Sequence, residues 1–109
     1  MLNLGFNALR VVPEGLRYCT VLERLDLSSN RIDRLPTHIG RCASLRELDL
    51  TSNMIEYLPE DLTGLTAVSR IFLGKNRIAA LPLGLASLTD AVQEINMERN
   101  PLADLPASG

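Results

Sequence analysis

The sequence predicts an α/β solenoid, with a curved parallel β-sheet on the concave side and short helical or 3-10 turns on the convex side. Three observations predict it. An apolar frame recurs along the chain: Leu22-x-x-Leu25-x-Leu27-x-x-Asn30-x-Ile32-x-x-Leu35-Pro36, then Leu45-x-x-Leu48-x-Leu50-x-x-Asn53-x-Ile55-x-x-Leu58-Pro59. Val68 to Pro82 and Val92 to Pro106 repeat it, and Leu2-x-Leu4-x-x-Asn7-x-Leu9-x-x-Val12-Pro13 is the tail of an earlier copy. The asparagines stand at 7, 30, 53, 76 and 100, a period of 23 residues with one residue added before the last copy. Self-similarity at such a period marks stacked repeats, each unable to bury its apolar side alone. Finally, aromatics make up only 4% of a chain that is 46% hydrophobic, so the core is aliphatic, as repeated Leu and Ile positions require.

Each copy opens with strict alternation. In Arg24–Ser28 the residues Leu25 and Leu27 fall on one side and Arg24, Asp26 and Ser28 on the other, the period of a strand. The equivalents are Leu2–Gly5, Glu47–Thr51, Arg70–Gly74 and Glu94–Glu98. Strands related by a constant period run the same way, so a parallel ladder with about 4.8 Å between strands is expected. Asn7, Asn30, Asn53, Asn76 and Asn100 close the strands. An asparagine amide both donates and accepts, which suits the backbone groups that a turn frees, and a stacked asparagine ladder with a structural role follows. Leu9, Ile32, Ile55, Ile78 and Leu102 point inward next, as do Val12, Leu35, Leu58, Leu81 and Leu105. The prolines after them end any continuing strand or helix. The return segments Thr37–Ser44 and Glu60–Ala67 have room for one helical or 3-10 turn. The added residue within Ala86–Val92 calls for a bulge on the convex side.

The frame resembles the leucine-rich repeat family over essentially the whole chain. The Leu-Pro pair and the 23-residue length are most similar to the intracellular Ras-suppressor and Scribble-type class. The resemblance implies a curved solenoid that binds other proteins, and it implies an intracellular, cytoplasmic setting without naming a partner. Residues 1–109 are expected to be a single array of about five repeats, the first and last incomplete. Polar capping repeats are missing, and arrays need them, so the chain reads as a fragment, a truncated product or a segment that pairs at its ends.

Composition narrows the function. Eleven basic against thirteen acidic groups leave a net charge of −2, which gives no global attraction to nucleic acid or an anionic membrane. The arginines of the N-terminal third are interleaved with Glu14, Glu23, Asp26 and Asp33, so no basic stripe forms. No apolar run reaches membrane-spanning length, and Met1-Leu2-Asn3-Leu4 lacks the basic start of a signal peptide. Cys19 and Cys42 are one period apart, where later copies carry Leu65 and Leu88. They read as small interior hydrophobes, although stacked cysteines could also form a disulfide. The lone His38 follows Pro36 and is expected to face solvent, without a ligand-spaced partner for a metal. Isolated glycines give no phosphate loop. No cofactor, metal or small-molecule substrate is expected, and the chain reads as a non-enzyme.

The outward strand positions are the candidate partner-binding surface. One row runs Arg24, Glu47, Arg70, Glu94, with alternating charges close enough to pair. A self-satisfied, solvated row and a recognition row are both consistent with it. A second row runs Asp26, Asp49, Phe72, Asn96. Its two aspartates invite a cation unless Arg24 and Arg46 neutralise them. Phe72 is an aromatic of the kind enriched at interface hot spots, or a solvated apolar residue. Lys75, Arg77 and Arg99 make a basic corner beside it. The resulting face is acidic at one side, apolar at Phe72 and basic at the other, expected to fit a protein partner with a basic group and an apolar knob. Two other roles are open: a regulatory segment of a larger signalling enzyme such as a kinase, phosphatase or cyclase, and a spacer array.

Overall fold

Leu25 and Leu27 leave an extended segment on one side and Arg24 and Asp26 on the other, and this alternation sets the architecture. The computed structural model describes residues 2–79 and 94–101. Its strands are β1 (Leu2–Asn3), β2 (Arg24–Asp26), β3 (Glu47–Asp49), β4 (Arg70–Phe72) and β5 (Glu94–Asn96). They form one five-stranded parallel sheet in chain order. The register steps by one repeat per strand, so that Leu25 lies beside Leu48, Leu48 beside Ile71 and Ile71 beside Ile95.

The strands are shorter than the alternation alone suggests, and the cause is local. Asp26 Oδ1 accepts the Ser28 N–H (2.9 Å) and the Ser28 hydroxyl (2.6 Å). Asn3, Asp49 and Asn96 accept in the same way from the N–H groups of Gly5, Thr51 and Glu98. The N–H two residues on is thereby drawn into an Asx turn and away from the neighbouring strand. Alternate N–H groups still continue the ladder, Leu27 to the Asp49 carbonyl and Ser29 to that of Thr51, both 2.8 Å.

The asparagines stitch the repeats together through the backbone. Asn53 Nδ2 donates to the Leu50 carbonyl of its own repeat (3.0 Å) and the Leu27 carbonyl of the preceding one (2.9 Å). Its Oδ1 accepts the Ile32 N–H (3.1 Å). Asn30, Asn76 and Asn100 make the equivalent bonds to the repeats before them. Asn7 bonds only within its own copy, to the Leu4 and Gly5 carbonyls. Asn30, Asn53 and Asn76 are buried, a position polar groups hold only when fully bonded.

Leu25, Leu27, Leu48, Leu50, Ile71 and Leu73 form the concave wall of the core, and Ile32, Ile55, Ile78, Leu35 and Leu58 continue it. The return segments coil into single 3-10 turns, η1 (Glu14–Tyr18), η2 (Thr37–Arg41) and η3 (Glu60–Gly64). Each follows its proline and places Leu16, Ile39 or Leu62 in the core. Cys42 is buried beneath them with a free thiol; Cys19 is free and half-buried. Burial pushes the Cys42 thiol up, and the neighbouring Cys19 adds to this. His38 departs from expectation. It is half-buried, and its Nε2 lies 3.3 Å from the Pro13 carbonyl of the preceding repeat, so it ties η2 back to the copy before it. Met1, Leu81, Pro82, Leu85, Leu88, the expected bulge before Val92, Leu102, Leu105 and Pro106 lie outside the described residues.

Candidate partner-binding face

Two of the outward rows are brought into register by the sheet. Arg24 lies beside Glu47, Glu47 beside Arg70 and Arg70 beside Glu94. Arg70 is the hub: its Nη1 is 3.7 Å from Glu47 Oε1 and its Nε 4.0 Å from Glu94 Oε1. These groups are half to one-third exposed, so each pair contributes at most about 1 kcal/mol. Their effect is positional, since they hold three side chains across three strands. Arg24 makes no ion pair among the described residues. With Glu23, Arg46, Glu47, Ser69 and Arg70 it lines a shallow polar groove at the start of the strands.

The second row, Asp26, Asp49, Phe72, Asn96, is also in register, with Asn3 beside Asp26. The aspartates are not neutralised by Arg24 and Arg46. One oxygen of each is held by the turn it caps, on Ser28 or Thr51. The remaining oxygen is what each can offer a ligand. Removing either carboxylate therefore touches the turn as well as the surface. Phe72 interrupts the row with a half-buried ring that carries no acceptor. The capping role was missed by sequence reasoning, yet the signal was present: Asn3, Asp26, Asp49 and Asn96 hold the same frame position, and all four are residues that favour such turns.

Behind this row the sheet is lined by small residues, Gly5, Ser28, Thr51 and Gly74. A Cβ on Gly74 would stand 3.4 Å from Asn96 Oδ1 and 3.5 Å from the Glu98 carbonyl, so the backbone comes close to its neighbours there. Lys75, Arg77 and Arg99 lie beyond the strand ends rather than on the sheet. Lys75 and Arg99 have positive φ (55° and 61°), as do Phe6, Ser29 and Ser52 in the same position of their copies. That conformation turns the chain off the sheet and sends these side chains to its rim. Arg77 follows, its N–H donating to the Ile55 carbonyl (2.8 Å). Among the described residues no group of three or more His, Cys, Asp or Glu could hold a metal ion. No helix among them is long and apolar enough to cross a membrane.

Comparison with known proteins agrees with this geometry. Among curated protein sequences none matches the chain. A solved structure of a leucine-rich repeat protein from Leptospira interrogans superposes with a TM-score of 0.91 at 31% identity, covering 96% of this chain and 26% of that one. The chain thus spans about a quarter of that relative's length. The sequence profile of the leucine rich repeat matches twice, at residues 1–55 and 20–78. Repeat frame, sheet, asparagine stitching and both comparisons agree, and the chain belongs to the leucine-rich repeat family.

Proposed function

We propose that this chain is a non-enzymatic recognition module that receives a protein partner on its concave sheet, as a scaffold or adaptor in an intracellular signalling setting. Leucine-rich repeat arrays are protein-interaction modules, and this chain shares their fold. The observation that carries the finer reading is the second row. Asp26 and Asp49 are fixed by their own turns with one oxygen free, and Phe72 stands next to Asp49 on the adjoining strand. Charge and apolar surface are thus held side by side on a rigid support, which lowers the entropy lost when a partner binds.

Affinity capture tests this with the wild type beside Phe72→Ala and Asp49→Asn. Asparagine keeps the bond to Thr51 while removing the charge, which alanine would not. Val21→Ser, an exposed position outside the strands, is the control. Each concave variant is expected to lose its bound protein by about tenfold, the effect of about 1.4 kcal/mol, while the control retains it. Equal retention by all four proteins would refute the reading.

A further inference from the structure

The rim at the C-terminal ends of the strands carries a feature that the concave rows do not. Arg31, Met54 and Arg77 occupy one frame position in three consecutive repeats. Their backbones form a ladder of their own, with N–H groups donating to the carbonyls of Leu9, Ile32 and Ile55, each at 2.8 Å. The three side chains are therefore presented on adjacent rungs of a fixed support. Arg31 and Arg77 are exposed, and Met54 between them is 37% exposed. A shallow depression of about 500 Å3 opens beside them, lined by Arg10, Arg31, Asp33 and Met54.

The charges here are unspent. Arg70 in the sheet is taken up by Glu47 and Glu94. Arg10, Arg31, Lys75, Arg77 and Arg99 form no ion pair among the described residues. The carboxylates along the same rim are Asp33, Glu56 and Glu98, so the rim is net basic on a chain whose overall charge is −2. We propose that this rim is a second docking surface, for an extended acidic peptide segment of a partner protein, with Arg31 and Arg77 gripping two carboxylates and Met54 contacting an apolar residue between them. The inference rests on the protein-binding reading for its class of ligand and assigns that ligand to a different surface. Arg31 and Arg77 stand two repeats apart, about 10 Å, and an extended chain presents same-face side chains at every second residue, about 7 Å apart. The segment therefore carries acidic residues four positions apart with an apolar residue midway on the same face, about 13 Å between the acids, a span that the long arginine side chains can reach. Asp33 and Glu56 interrupt the basic surface, which disfavours a continuous polyanion such as a nucleic acid strand or a lipid headgroup layer.

The test uses a fluorescein-labelled peptide, Asp-Glu-Leu-Gly-Glu-Asp, and its neutral counterpart Asn-Gln-Leu-Gly-Gln-Asn, followed by anisotropy at low and high salt. The acidic peptide is expected to bind and the neutral one not, with affinity falling as salt rises. The double variant Arg31→Gln, Arg77→Gln should weaken binding by about tenfold or more, and Met54→Ser by about threefold. Thermal melting confirms that both variants fold, as exposed positions allow. Phe72→Ala should leave this peptide's affinity unchanged. Absence of binding, or equal binding by the double variant, overturns the proposal. Equal displacement by a single-stranded oligonucleotide or by anionic vesicles also overturns it, because the rim would then be a general polyanion surface. The concave face is judged separately by the capture experiment, so either reading can fail while the other stands.

Discussion

At the scale of the residue, Asn53 shows how one side chain can carry a whole repeat boundary. It satisfies two carbonyls and an N–H, two of these three groups belonging to the preceding repeat. Leucine at this position fills the space but leaves the Ile32 N–H without a partner, and it removes one of two donors from the Leu27 and Leu50 carbonyls, which keep Asn30 Nδ2 and Asn76 Nδ2. At about 1–3 kcal/mol for the unsatisfied N–H and about 0.5–1.5 kcal/mol for each of the two lost bonds, Asn53→Leu is expected to cost about 2 kcal/mol or more in urea unfolding. Asn7→Leu is the contrast: Asn7 is exposed and bonds only within its own copy, so its loss should stay under about 1 kcal/mol. Equal costs would mean that the cross-repeat bonds contribute nothing. Cys42 makes a second case. Burial raises its pKa, with Cys19 adding to the effect, so the folded chain favours the neutral thiol. The associated stability is fully present below the ordinary thiol value of about 8.5 and is lost as pH rises through the raised value. Melting temperature should therefore fall more steeply above that ordinary value in the wild type than in Cys42→Val. Iodoacetamide should label Cys19 before Cys42 in the folded protein. Simultaneous labelling, or parallel pH profiles, would contradict this.

At the scale of the element, the strand ends and the return turns depend on interactions that the apolar frame does not reveal. The residue before each asparagine adopts positive φ in five copies, yet it is Phe6, Ser29, Ser52, Lys75 or Arg99 and never glycine. Residue type gave no hint because the asparagine beside it imposes the turn, its amide donating in every copy to the carbonyls three and two residues before it. Asp26 and Asp49 were legible as outward residues and illegible as caps for a related reason: a carboxylate on a sheet reads first as charge, while its bond to an N–H two residues on exists only once the strand has ended. The 3-10 turns show the same dependence. Gly15 precedes the inward Leu16 and Gly64 follows the inward Leu62 by two positions, but frame position alone does not tell which of the two is crowded. In the structure, a Cβ on Gly64 would run into the Gly40 carbonyl of η2, whereas one on Gly15 meets nothing within 4 Å. Gly64→Ala should therefore destabilise by about 1–3 kcal/mol through overpacking. Gly15→Ala, whose φ is not positive, should be neutral or stabilise by up to about 1 kcal/mol by restricting the unfolded chain. Denaturant midpoints of the two variants decide this, and a stable Gly64→Ala would show that η2 and η3 can separate without cost.

At the scale of the whole molecule, the period was enough to place every described strand, its neighbours and its register, because one translation relates all copies. It was not enough to place the ligand surface, because the frame is common to all copies while rim and face are set by residues that differ between them. The same translation predicts how the array opens. Each copy contacts only its neighbours, so stability accumulates boundary by boundary. Leu45, Leu48, Leu50 and Ile55 are fully buried, whereas Leu2, Leu4, Ile95 and Met97 are only partly so. A fully buried aliphatic side chain is worth about 1.5–3 kcal/mol over an exposed one, so the central boundaries hold more tightly than the outer ones. Amide exchange should reflect that gradient. The N–H groups of Ile32, Leu50 and Ile55, bonded to Asn53, Phe72 and Asn76, should be the slowest. Those of Leu4 and Lys75, bonded to the outer partners Asp26 and Glu98, should exchange at least about tenfold faster through local opening. Asn53→Leu should then speed exchange at Ile32 more than at Ile55, since it breaks the boundary on one side of its copy. Uniform protection along the array, or uniform acceleration in the variant, would instead mean that the repeats open as a single unit and that boundary-by-boundary stability does not describe this solenoid.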